Sequence, residues 1–120
     1  MSTEVIPIFS SRSISKNAST VLATPISLGK FGPGAMFAGD LTASGGGTVT
    51  VDYQVGNTPG DTFFRPSSAT PVFKGFKSSV RSASRDRALF EPELTPWMKF
   101  KAKEANASPV VIDFNLIVST

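Results

Sequence analysis

Proline and glycine interrupt this chain so often, at nine and ten of its 120 positions, that no run of ten residues sustains the 3.6-residue spacing of an amphipathic helix. What periodicity there is has a period of two. In Thr48–Val55 (TVTVDYQV), Val49, Val51, Tyr53 and Val55 point one way, and Thr48, Thr50, Asp52 and Gln54 the other. That pattern belongs to a half-buried strand. SPVVIDFNLIVST places Val110, Ile112, Phe114, Leu116 and Val118 on one face, and its other face, with Val111 and Ile117, is itself partly apolar, as if a second surface were covered. PWMKFKAKEA sets Met98, Phe100 and Ala102 against Trp97, Lys99, Lys101 and Lys103. The polar EANASP between these last two runs predicts a hairpin.

Upstream, TVLATPISLG and GAMFAGDLTA offer short strands joined by the turn KFGPG, and GGG at 45–47 makes a further turn before TVTV. Val5, Ile6, Ile8 and Phe9 predict a first short strand that Pro7 confines to an edge or a bulge. SSVRSASRDRALF has no apolar stripe and predicts a long, mobile basic loop. Short strands at turn-spaced intervals predict an all-β fold: a single antiparallel β-sandwich, jelly-roll-like or immunoglobulin-like, over residues 21–120. The polar SSRSISKNAST predicts that residues 1–20 form an extended N-terminal arm reaching outward.

The missing residue types narrow the chemistry. Without cysteine there is no disulfide framework or thiolate ligation, and without histidine there is no Ser/His/Asp triad and no imidazole ligand for a metal. Asn57 and Asp61 in GNTPGDTFF are too few oxygens for a calcium loop; Asn57, Pro59 and Gly60 supply a bend, after which Phe63 or Phe64 returns the chain to the core. Glu91 and Glu93 sit two apart, on one face of an extended segment, but no substrate groove accompanies them, so solvated or inter-subunit charges are expected. An enzyme is therefore not expected, nor is a cofactor or metal. The N-terminal stretch lacks the basic and long apolar regions of a secretory signal, and no apolar run reaches the roughly 20 residues needed to span a bilayer. Synthesis and assembly in a cytoplasm are expected.

Charge is unevenly placed. Nine of the twelve basic residues lie between Arg65 and Lys103. Arg81, Arg85 and Arg87, whose guanidinium forks suit carboxylates, are candidate partner contacts, together with the row Trp97, Lys99, Lys101 and Lys103. Cations with an aromatic also suit nucleic acid, but lysines on the outward face of a sheet commonly guard against edge-to-edge aggregation, and that reading is preferred here. Nucleic acid and membrane are not the expected partners.

The succession ATPISLGKFGPGAMFAGDLTASGGGTVTVDYQVGNTPGDTFFRPS, a basic Ser-rich loop, and FEPELTPWMKFKAKEANASPVVIDFNLIVST resembles small β-sandwich structural proteins of tailed bacteriophages across nearly the whole chain. The resemblance rests on strand pattern and turn placement, with no diagnostic motif. It implies a non-enzymatic virion protein, foremost a capsid decoration or cement protein acting as a homo-oligomer on the major capsid protein or other virion proteins. The alternative is a carbohydrate- or receptor-binding module of a tail or tail tip.

Overall fold

A computed structural model describes residues 2–21, 24–32, 34–67, 69–79, 84–92 and 95–120. Nine strands carry the fold: β1 (Thr3–Ile14), β2 (Ser19–Val21), β3 (Ile26–Ser27), β4 (Met36–Gly45), β5 (Thr48–Gly56), β6 (Phe73–Lys77), β7 (Arg85–Phe90), β8 (Trp97–Glu104) and β9 (Val110–Ser119). A 3-10 turn spans Gly29–Phe31. The first sheet has the order β1-β9-β4-β7; the second has β2-β8-β5-β6, with β3 also paired to β8. All pairings are antiparallel. The two sheets pack as a sandwich.

The period-two faces are hidden as the sequence predicts. Val49, Val51, Tyr53 and Val55 of β5 and Met98, Phe100 and Ala102 of β8 are buried, and they face the buried Val110, Ile112, Phe114, Leu116 and Val118 of β9. Phe114 lies at the centre, with ring centroids 5.1 Å from Phe100, 6.3 Å from Phe73 and 6.5 Å from Phe9. Offset and edge-on contacts of this kind add to the area that each ring buries.

Three expectations are corrected. Residues 3–14 are no outward arm: they form β1, paired with β9 along its length, with Ile8, Phe9 and Ile14 buried. A few apolar residues outweigh the polar composition of the segment, because register shifts at Pro7/Phe9 and Phe9/Arg12 let Ile8, Phe9 and Ile14 all turn inward, and Pro7 sits at the first of these bulges on a sheet edge, where its missing N–H does no harm. Ser2 and Thr120 then bond reciprocally through their backbones, at 3.0 and 2.9 Å. EANASP is no hairpin, because β8 belongs to the second sheet and β9 to the first. Arg85–Phe90, expected within a mobile loop, is strand β7, whose Phe90 packs on Phe37, Tyr53 and Phe100.

The crossing from β8 to β9 is organised by Glu104, which continues the inward phase of Met98, Phe100 and Ala102 and is fully buried. Its carboxylate accepts backbone N–H bonds from Asn17 at 2.9 Å, Thr48 at 3.0 Å, Ser108 at 3.3 Å, and Asn106. Burial pushes its pKa up, but the four donors more than offset this and hold it at about 2. One side chain thereby ties together the β1–β2 turn, the β4–β5 crossing and the β8–β9 crossing. Gly47 sits against it: an added Cβ would lie 2.5 Å from the Ser108 carbonyl oxygen and 3.0 Å from Glu104 Cγ.

Candidate functional site

The residues singled out from sequence divide between opposite outer faces of the sandwich. Arg85 and Arg87 are on β7, on the outside of the first sheet; Trp97, Lys99, Lys101 and Lys103 are on β8, on the outside of the second. Arg81 and Glu93 lie outside the described residues.

On the first sheet, Asp40 of β4 stands outward opposite Arg87 yet is 3 % exposed, because two guanidiniums cover it. Arg85 donates from Nε to Oδ1 at 2.8 Å and from Nη2 to Oδ2, and Arg87 Nη2 donates to Oδ2 at 2.9 Å. The hydrogen bonds from Arg85 do most to hold the Asp40 carboxyl at about 2; burial opposes them, and Arg87 adds to them. Both arginines remain more than half exposed beyond this clamp. They are held in place with donors to spare.

Beside the clamp the strand register lines up Val5, Ile117, Ala38 and Leu89, one residue from each of the four strands. Register partners in an antiparallel sheet share a face. Ile117 and Ala38 are buried within this row, whereas Val5 is 57 % and Leu89 73 % exposed, and Met36, one pleat away, is 56 % exposed. The outer face of the first sheet is thus an apolar row crossing its whole width, bordered by fixed cations. The partly apolar outer face read from SPVVIDFNLIVST is its β9 portion.

The second sheet is different. β8 is an interior strand, flanked by β5 on one side and by β2 and β3 on the other, so its lysines guard no edge and the preferred explanation for them fails. Trp97 opposes Gly56, and the ring of Phe63 lies on that glycine, about 3.0 Å from where a Cβ would stand. Lys99 Nζ sits 4.7 Å from the centre of the same ring. Phe63 therefore covers the outside of the sheet, and Phe64 is 58 % exposed, so neither returns the chain to the core; Val72, Phe73 and Phe76 do. A depression of about 280 Å³ follows, lined by Lys101, Lys103, Arg65, Asp52, Gln54 and Thr50. Arg65 pairs with Asp52 at 3.2 Å, while no described carboxylate lies within ion-pair distance of Lys101 or Lys103.

The GNTPGD bend closes on itself. Asp61 accepts from the N–H groups of Asn57 and Thr62, each at 2.8 Å, in keeping with a bend rather than a ligand loop. At the end of the sandwich nearest β3 and β7 there is a larger cleft of about 1220 Å³, whose lining includes Leu28, Phe37, Tyr53, Phe90, Glu91 and Pro92. Its aromatic lining is continuous, with Phe90 6.2 Å from Phe37 and 6.0 Å from Tyr53 between ring centroids. Tyr53 faces inward, as its phase on β5 predicts, and forms part of this lining.

Sequence reasoning missed Asp40 and placed Phe63 in the core instead of on the outer face. Asp40 carries a signal in hindsight, the only acid of its strand, next to the inward-facing Leu41; Phe63 carries none, since its place depends on which residue lies opposite Trp97. Among the described residues no group of acids could hold a metal ion, and no helix is long and apolar enough to cross a membrane. No protein-family model and no curated protein matches the chain.

Proposed function

We propose that this protein is a non-enzymatic structural component of a virion, a capsid decoration or cement protein of the tailed-phage kind, docking as a homo-oligomer on the major capsid protein. The observation that carries this reading is the apolar row Val5–Ile117–Ala38–Leu89 across the first sheet, with Met36 beside it and Arg85 and Arg87 pre-fixed on Asp40. Burying a side chain such as Leu89 or Val5 contributes about 1.5–3 kcal/mol. The clamped guanidiniums lose little rotamer freedom on meeting partner carboxylates. Apolar contact with an oriented ionic border would let a small sandwich brace neighbouring coat subunits against internal pressure, and association would stabilise the bound shell by mass action.

The test adds purified protein to capsids that lack it. Wild-type protein should raise the temperature at which such capsids disrupt, and the double variant V5D/L89D, folded but unable to dry the row, should lose at least tenfold in occupancy. Unchanged occupancy by the double variant would remove this face from the contact.

A second reading, a carbohydrate- or receptor-binding module of a tail, is favoured by the end cleft, where Phe37, Tyr53 and Phe90 stand beside the single described carboxylate of Glu91. Glycan-array binding by the isolated protein, lost in E91A, would favour it.

A further inference from the structure

We infer that the outer face of the second sheet binds an extended single strand of nucleic acid, with phosphates along Lys99, Lys101 and Lys103 and a base stacked at Trp97. This goes beyond the docking role, uses the opposite face, and stands or falls separately from it.

Four observations carry the inference. Alternate residues of a strand are about 6.6 Å apart, so the three lysines form a straight row about 13 Å long. Their step is close to that between successive phosphates of a stretched single strand. Second, Lys101 and Lys103 make no ion pair with a described carboxylate, and the depression they line holds three cations, Lys101, Lys103 and Arg65, against one acid, Asp52, which stands opposite Lys101 and pairs with Arg65. Third, the row lies on an interior strand, so edge protection does not account for it. Fourth, the row begins at aromatics: half-buried Trp97 stands opposite Gly56, the Phe63 ring covers that glycine where a side chain would otherwise stand, and the same ring holds Lys99 in place through a cation–π contact.

Cations that track a backbone next to an aromatic platform are the working parts of sequence-tolerant single-strand binding. An acidic protein surface would satisfy the lysines but would have no use for an aromatic at the head of the row. A duplex presents its bases stacked inside, out of reach of Trp97. The row has room for about four nucleotides, at the low end of the site sizes of single-strand binders.

Trp97 is the chain's only tryptophan, so its fluorescence reports on the site directly. The full chain is titrated with a 20-nucleotide oligothymidylate at low salt. The expected result is quenching of Trp97 emission and an affinity that falls with salt, with a log–log slope of about −2 for three neutralised phosphates at roughly −0.7 each. K101Q/K103Q should retain the wild-type melting temperature, weaken binding at least tenfold and bring the slope near −0.7. Followed by anisotropy of a labelled oligonucleotide, W97F should bind nearly as the wild type does and W97A about fivefold or more weakly. Three results would overturn the inference: no quenching or salt-dependent binding, tighter binding of the matching duplex, or equal binding of polyglutamate with Trp97 emission unmoved. The last would mark the face as a site for acidic protein.

Discussion

Glu104 does at the scale of one residue what a disulfide does elsewhere, since four N–H groups from three connections converge on its two oxygens. An amide in its place would turn an N–H₂ group toward donors that need an acceptor. E104Q should therefore lower the thermal midpoint by roughly 5–10 °C at neutral pH. The effect of acid follows from the same contacts. With a pKa lowered from 4.5 to about 2 on folding, Glu104 is protonated earlier in the unfolded chain, so its stabilisation is complete above 4.5 and is lost as pH falls toward about 2. Asp40, lowered from 3.8 to about 2, adds a similar loss below 3.8. Urea midpoints at pH 7 and pH 3 should show the gap between wild type and E104Q narrowing in acid; a constant gap would mean that the carboxyl's pKa does not shift on folding, and a widening one that it is held neutral in the fold. The position was legible: the alternation Met98, Phe100, Ala102 runs on to residue 104, but a charge at the end of a strand reads as loop unless the alternation is followed one step further.

The strands were legible as elements because alternation of apolar and polar residues is a local property, and β5, β8 and β9 show it without interruption. Their connections were not. A short polar link reads alike whether it returns a strand within one sheet or carries it to the other, and EANASP does the second because its N–H groups have Glu104 to bond. Val5–Phe9 was legible as a short strand, but not its extension through the polar residues 10–13, since β1 depends on β9 as a template from the far end of the sequence. Adjacent glycines separate these effects at the β4–β5 crossing. At Gly46 a Cβ meets nothing closer than 3.7 Å, whereas at Gly47 it meets the Ser108 carbonyl at 2.5 Å. G46A should therefore leave the melting temperature within a few degrees of wild type, and G47A should lower it by roughly 10 °C or more, because backbone must move. Equal effects would show that the crossing is softer than its contacts imply.

At the scale of the whole molecule, the two sheets are joined through Phe114, and F114A should cost about 3–5 kcal/mol in chemical denaturation. The outer faces are less readable from sequence than the core, because a partner surface is assembled across strands. Val5, Ile117, Ala38 and Leu89 are separated by up to 112 positions and meet only through register, and Trp97 and Phe63 likewise. The candidate cations were visible one by one; that they lie on opposite sides of the sandwich was not. The reciprocal backbone bonds between Ser2 and Thr120 leave positions 2 and 120 adjoining on the first sheet. A short peptide bridging them would permit the chain to be opened instead between the exposed Pro59 and Gly60, with every strand retained. Such a circular permutant should melt within a few degrees of the parent, and a passenger domain spliced at 59–60 would then leave from a different place than one carried at 2 or 120.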